Sequence, residues 1–520
     1  MKKRALILLV GLLVLVTALW AAPQHLTILH VNDTHGHAWQ YSITDNSNIG
    51  GFAAIATLVD QIKAEVESKG GSVLVLHAGD INTGVPESDQ LDAIPDIVAM
   101  NMVPFDAMAL GNHEFDKDGD VLAKQIKAMK FPALSANIMT KTGENAFTPY
   151  VIKELNGMKV AIYGLSTESI TVLEPIYVEE YVFKSAIEVS KTLVPELNQQ
   201  ADIVIALTHL GYGEPLTGST SSDMLAKAVD GIDVIVDGHS HTLFTQAPVY
   251  GDTILVQAGE WGKYLGRLDL WIVDGEIIDW EWEAIPVNLK YIAGKDAENK
   301  TVYDFVGEPV EQNPRVLAAM EYFYNLGGEK LNEVIGKTTI QLDGERSNVR
   351  SKATNLANLL SDAMVWKSLA DFAITNGGGI RASIKAGDIT YRDVLTVLPF
   401  GNMIYIVNLT GSEVMRLLNF ASNVAAGQGA FPQFGGITFT VENGQVKNVL
   451  IQGKALEMDK VYKVATNDYM AGGGDGYNVL KDNKANGYDT GFVLADALML
   501  YFEYLGTVQE YDSNQRMVKK

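Results

Sequence analysis

The chain has no cysteine at all. That excludes disulfides, thiolate metal ligands and a lipid-bearing cysteine, so any metal must be held by nitrogen and oxygen. Positive charge is also scarce: 40 Lys and Arg stand against 63 Asp and Glu, a net charge of −23. This balance argues against generic nucleic-acid or anionic-membrane binding, and an anionic substrate would have to be held by local cations. No low-complexity tract or internal repeat is found. Histidine is missing from the whole C-terminal half, since all nine lie between His25 and His241. Imidazole chemistry is therefore confined to the N-terminal half.

What is present is globular: 520 residues, 47% hydrophobic and 20% charged, too long for one ordinary core. Lys2, Lys3 and Arg4 precede an apolar stretch at 5–20 that is short for a membrane span, and small residues follow at Ala21 and Ala22. This order reads as a secretory signal over 1–22, with cleavage near Ala21 or Ala22. Trp20 fits a cleavage site poorly, and an uncleaved anchor is the rival reading. The expected location is exported, periplasmic or extracellular, with no membrane span left after cleavage.

The N-terminal half has a repeating form. Five apolar, β-branched runs each end in Asp, Asn or His: 26–31 into Asn32-Asp33-Thr34-His35, 72–76 into Gly79-Asp80, 107–110 into Gly111-Asn112-His113-Glu114, 203–207 into Thr208-His209, and 232–236 into Gly238-His239-Ser240-His241. Helix-like stretches such as 53–68 and 121–129 separate them, which predicts an α/β sheet. Ligands in such sheets gather at the carboxyl ends of strands. Each cluster alone is ordinary turn or helix-cap chemistry. Five in order after five strands point to one shared site. His30 and His77 sit within strand runs and read as core residues. None of His25, His30, His37 and His77 is needed, a place at the border of the site being the minor reading of His37.

The residue types suit a pair of metal ions. Two cations a few ångströms apart need a bridging carboxylate, which Asp80 can supply. Imidazoles and an amide oxygen complete the shells without excess negative charge. Such a set suits zinc, manganese, iron or cobalt without choosing among them. A two-metal clamp polarises a phosphoryl group, lowers the pKa of a bridging water and stabilises in-line displacement.

These motifs resemble the calcineurin-like metallophosphoesterases. Further stretches, GVPESD at 84–89, AMALGNHEFD at 107–116 and EWGKYLG at 260–266, are similar to the 5′-nucleotidase family, and within it to the bacterial periplasmic UDP-sugar hydrolases/5′-nucleotidases. The resemblance covers nearly the whole mature chain. It implies one metal on Asp33, His35, Asp80 and His241, a second on Asp80, Asn112, His209 and His239, and a His113–Asp116 dyad beside the phosphate. His241 stands where close members of the family carry Gln, though other members have His there.

The second half has a different character. Residues 287–312 read as a polar connector. Asn313 caps a helix with Pro314 at its first position, and Gly327-Gly328 is expected to stop it. A second α/β domain begins near Ile335. Its glycine runs at 377–379 and 472–476 read alone as tight turns. Arg346 and Arg350 read either as a solvated face or, with Arg381, as forks for phosphate or carboxylate. The resemblance makes this domain the nucleoside binder: Phe400 and Tyr469 sandwich the base, Asp475 takes the ribose hydroxyls, Arg346, Arg350 and Arg381 lie near the substrate, and Asn376 and Asn402 make polar contacts. Stacking tolerates any base, so a broad nucleotide range is expected.

The expected class is thus α/β: a metallophosphoesterase βαβ sandwich over 23–300, a linker helix over 301–334, and a C-terminal α/β nucleotide-binding domain over 335–520. The resemblance implies hydrolysis of 5′-nucleotides and of nucleotide sugars, with inorganic phosphate as a product, a metal-activated water attacking phosphorus in line, two divalent ions (Zn, Mn, Co or Fe), and no nucleic-acid partner. It further implies that the second domain swings between open and closed arrangements. Two alternatives remain at this stage. One is another hydrolase on this scaffold, such as a 2′,3′-cyclic-nucleotide phosphodiesterase. The other is a nonenzymatic nucleotide-binding relative, though none of the ligands is missing.

Overall fold

A computed structural model describes residues 23–43, 46–170, 178–213 and 219–520. The expected signal segment lies outside these residues. The first domain is a sandwich of two six-stranded sheets. One sheet runs, edge to edge, through Glu276–Pro286, Tyr264–Val273, Gln24–Val31, Ser72–His77, Ala107–Ala109 and Ala133–Leu134. The other runs through Val249–Tyr250, Thr253–Val256, Val234–Val236, Ile203–His209, Met158–Ser166 and Tyr150–Leu155. The central strands of both sheets are parallel. Their runs are mostly apolar because both faces are covered, with buried polar exceptions such as Thr27, His30 and Ser72. Leu26, Ile28, Leu74 and Leu76 meet Ile162, Ile205, Leu207 and Val234 between the sheets. The helices Phe52–Ser68 and Ile94–Met102 cover one outer face, and Ala186–Leu197 covers the other.

All five apolar runs are strands, and their polar ends lie on the same edge of the sandwich. Asp33 (φ 50), His35 (φ 47), Asp80 (φ 60), His239 (φ 78) and His241 (φ 53) all have left-handed backbone. Such strain in non-glycine residues persists where surrounding contacts over-determine it, typically at functional turns. Those contacts are visible: Asp33 N–H donates to Gly79 O at 3.0 Å and His35 N–H to Asp80 O at 3.1 Å, lacing the first turn to the second.

The second domain is built on a five-stranded sheet, in the order Pro432–Gly435, Phe372–Asn376, Val461–Asn467, Met403–Thr410 and Gly487–Val493. The helices Asn355–Ser368 and Leu494–Leu505 pack on one face, and Gly411–Asn423 on the other. The two-domain α/β architecture is as expected.

Two details of the connection differ from the sequence reading. The polar connector contains a hairpin, Lys290–Lys295 against Thr301–Phe305. The joining helix, Pro314–Lys330, is capped as expected, with the Asn313 side chain accepting from Arg315 N and Val316 N, but it runs through Gly327 and Gly328. Gly327 does not stop the helix. It lets the helix lie against the Glu87 backbone, where a Cβ would collide with the carbonyl. The helix belongs by packing to the first domain, since Val316 and Met320 are part of its core. Beyond its end, Leu331 is buried in the second domain's core.

Candidate metal centre

The strand-end turns bring seven potential ligands into one group. Among the described residues, three sets of donor atoms lie within 4.8 Å of one another: Asp33, His35 and His241; His35, Asp80 and His113; and Asp80, His209 and His239. His35 links the first set to the second, and Asp80 links the second to the third. Asp33, His35, Asp80, Asn112, His113 and His209 are at most 5% exposed.

Hydrogen bonds fix which atoms are free. His35 Nδ1 faces the carbonyls of Asn82 and Thr83 at 3.0 and 2.9 Å and so carries the ring proton, leaving Nε2 as an acceptor. His209 Nδ1–H donates to Ala78 O at 2.7 Å. His241 Nδ1 faces Glu260 Oε2 at 3.0 Å. All three rings therefore turn Nε2 inward, the tautomer that a metal ligand needs. Asp33 is held by Asn32 Nδ2 at 2.6 Å and by His239 N–H at 3.0 Å. Asp80 Oδ1 accepts from His113 N–H at 2.9 Å.

The resulting arrangement puts acceptors against acceptors. His35 Nε2 and His241 Nε2 are 3.2 Å apart. His209 Nε2 stands 2.9 Å from Asp80 Oδ2, and His241 Nε2 stands 3.4 Å from Asp33 Oδ1. Asn112 Oδ1 is buried without a hydrogen-bond partner. Lone pairs converge this way only around positive charge, a proton or a cation. With protons alone, burial disfavours charge on His209, yet Asp80 overrides it and lifts the ring to about 10. Burial holds His35 down at about 4 and His239 at about 3. The donor set, mixed nitrogen and oxygen, fits divalent metal.

His113 stands apart in function from these rings. Its Nδ1 lies 2.7 Å from Asp116 Oδ2, and Asp116 is also gripped by the Thr83 hydroxyl. Burial works against charge on His113, but Asp116 and then Asp80 raise it to about 9. The Nε2 edge of the ring meets Gly491 of the second domain. A cleft of about 810 Å³ opens beside His239, walled by His239, Ser240 and Tyr212 on one side and Asn408, Asn486 and Asp489 on the other.

The predicted substrate residues form a second group. Asp475 accepts from Asn376 Nδ2 at 2.7 Å and from the Tyr469 hydroxyl at 3.2 Å. The Arg381 guanidinium lies 5.4 Å from the Phe400 ring centre. Burial, then Arg346 and Arg381, lower the Arg350 pKa, and Arg350 Nε is buried without a partner. Asn402 donates to Asp468 at 2.7 Å. Phe400 and Tyr469 are 58% and 50% exposed. The metal centre is faced not by these residues but by the strand Gly487–Val493.

Sequence reasoning missed the supports. Glu114 accepts from Asp80 N, Ile81 N and Gly111 N. Asp237 accepts from Thr208 Oγ1 and Leu210 N, steadying the His209 turn. His77 accepts from Gly79 N–H and reaches the Thr34 hydroxyl at 3.0 Å, so it braces the Asp80 turn. His30 is core, stacked on Trp282. His37 borders the site, stacked on Trp261 at 4.9 Å. Glu260 was the most accessible of these, since it opens the EWGKYLG stretch.

Comparison with known proteins gives two family matches, "Calcineurin-like phosphoesterase" over residues 26–243 and "5'-nucleotidase, C-terminal domain" over 334–482. The chain is 40% identical to a 5′-nucleotidase of Vibrio vulnificus, covering 93% of this chain and 91% of that protein. It is 39% identical to Protein UshA of Escherichia coli, covering 92% and 90%. Among solved structures, a 5′-nucleotidase precursor from Thermus thermophilus is 31% identical, with a TM-score of 0.54 over 95% of this chain and 99% of that one. The NAD nucleotidase of Haemophilus influenzae shares the fold, at 24% identity and a TM-score of 0.83 over 96% and 99%.

Proposed function

Because the chain belongs to the 5′-nucleotidases built on the calcineurin-like phosphoesterase fold, and so hydrolyses nucleotide phosphoric esters with bound divalent metal, we propose that it releases phosphate from 5′-nucleotides across a range of bases and also cleaves nucleotide sugars. The observation that carries this reading is the convergence of unpaired Nε2, carboxylate and amide acceptors at one sandwich edge. Asp33, His35, Asp80 and His241 would hold one ion, and Asp80, Asn112, His209 and His239 a second; zinc, manganese, cobalt or iron suits them. When bound, the pair supplies Lewis acidity toward the phosphoryl group and a water of lowered pKa.

The protein's own groups do the rest. Asp116 holds the His113 ring with Nε2–H directed outward. That proton steadies charge on the transferred phosphoryl group or passes to the leaving oxygen. Phe400 and Tyr469 grip the base, Asp475 the ribose, and Asn376 and Asn402 the nucleoside's polar edges. Arg346, Arg350 and Arg381 hold the anion in an acidic protein. In this division, 23–300 carries the metals, 335–520 the nucleoside, and 301–334 joins them. Since Gly491 covers His113 here, the second domain must turn for a base held at Phe400 and Tyr469 to present its phosphate.

The charged, apolar and small-residue order of 1–22 supports export to the periplasm or beyond. No helix among the described residues is long and apolar enough to cross a membrane. A panel of phosphate release from AMP, UDP-glucose, 2′,3′-cyclic AMP and an aryl phosphate tests the reading. AMP and UDP-glucose should lead. A chain active only on the cyclic nucleotide would overturn it.

A further inference from the structure

We infer that Glu260 is a positioning residue for His241, and that it sets the affinity of the ion held by Asp33, His35 and His241 without touching that ion itself. The inference rests on the metal-centre reading above.

The His241 side chain is 35% exposed, whereas Asp33 beside it is fully buried. Packing therefore leaves this ring freer than the fully buried ligands Asp33 and His209. What orients it is a carboxylate: Glu260 Oε2 lies 3.0 Å from Nδ1. With the proton drawn to Nδ1, Nε2 is left as an acceptor directed at Asp33 and His35. A ring turned over, or carrying its proton on Nε2, would present a C–H or an N–H to the ion.

Glu260 is itself fixed. Its other oxygen, Oε1, accepts from Lys263 Nζ at 2.5 Å, and that ammonium sits 4.3 Å from the centre of the Trp261 ring. The intervening loop is tied to the first strand's turn. Trp261 N–H donates to Asp33 O at 2.8 Å, and Asn32 bridges Gly259 O and Ala258 N at 2.6 and 3.0 Å. Trp261 adopts left-handed backbone, φ 58, to hold this course. The loop carrying Glu260 thus hangs from the residues that carry Asp33, so ligand and support move as one piece. Carboxylates that orient metal-bound imidazoles typically govern affinity by about 10–100-fold.

The test is calorimetric titration of the metal-stripped protein with Mn²⁺, which reads binding rather than turnover. Wild type should take up two ions. Glu260→Ala should weaken one of them about 10–100-fold and leave the other unchanged. Glu260→Gln, which keeps shape and an acceptor oxygen but not charge, should give a smaller loss and guards against a folding artefact. In a His241→Gln background, where the side chain has no second ring nitrogen to orient, Glu260→Ala should cost nothing further. Unchanged affinity in Glu260→Ala, equal weakening of both ions, or a full effect persisting in the His241→Gln background would each overturn the role of Glu260. A wild-type chain that binds no second ion would instead overturn the metal-centre reading on which it rests.

Discussion

Gly491 lies edge-on against the imidazole of His113, so close that a methyl group at 491 would overlap the ring. Two domains thus meet at the dyad through a residue with no side chain. In this arrangement the second domain covers His113 with a strand and holds its exposed aromatics elsewhere. Holding the arrangement should therefore stop turnover. Gln90 and Met499 touch across the interface, Nε2 to Sδ at 3.3 Å. Cysteines at these two positions would be the chain's only thiols. A short thiol crosslinker between them should abolish multiple turnover while metal stays bound, with release of the crosslink restoring it. Undiminished rates in the linked protein would mean the cover is compatible with catalysis.

His113 shares one donor set with His35 and Asp80, so its role is open to direct test. As a proton-holding group it should cost about 10²–10⁴-fold in turnover when replaced by Ala. Metal content should not change. A His113→Ala protein that loses an ion makes His113 a ligand and dissolves the dyad.

Asp80 and Asn112 should separate cleanly in metal analysis. Asp80 belongs to two of the three donor sets and is the proposed bridge, so Asp80→Ala should lose both ions. Asn112 offers one orphaned oxygen, so Asn112→Ala should weaken mainly one. Two tightly held ions in Asp80→Ala would contradict the bridge.

Phe400 and Tyr469 are exposed, and as the proposed base clamp each should contribute about 1–3 kcal/mol. Replacing both with Ala should raise KM for AMP steeply and spare a small aryl phosphate. Equal losses on the two substrates would assign the rings to packing alone.

Much of this was legible from local pattern. Runs such as 26–31 and 203–207 are largely apolar because each strand is buried on both faces, and the Asp or His that follows marks the sheet edge. What was not legible is set by tertiary approach. Gly327 looked like a helix stop because glycine ends helices more often than it cushions them; only the Glu87 backbone pressed against it reveals the second use. Nothing local in the strand Gly487–Val493 places Gly491 on His113. The left-handed turns at Asp33, His35 and His239 are likewise fixed by contacts between distant loops, such as Asp33 N–H to Gly79 O. Phe400, Tyr469 and Asp475 are singled out by family resemblance alone, since the glycine runs near them read as turns.

The most direct test of the account is phosphate release from AMP by metal-stripped protein titrated with Mn²⁺. The account predicts no release without metal and full recovery only as the second equivalent binds. Stripped protein that cleaves AMP at the native rate, or activity that is complete at one equivalent, would contradict it.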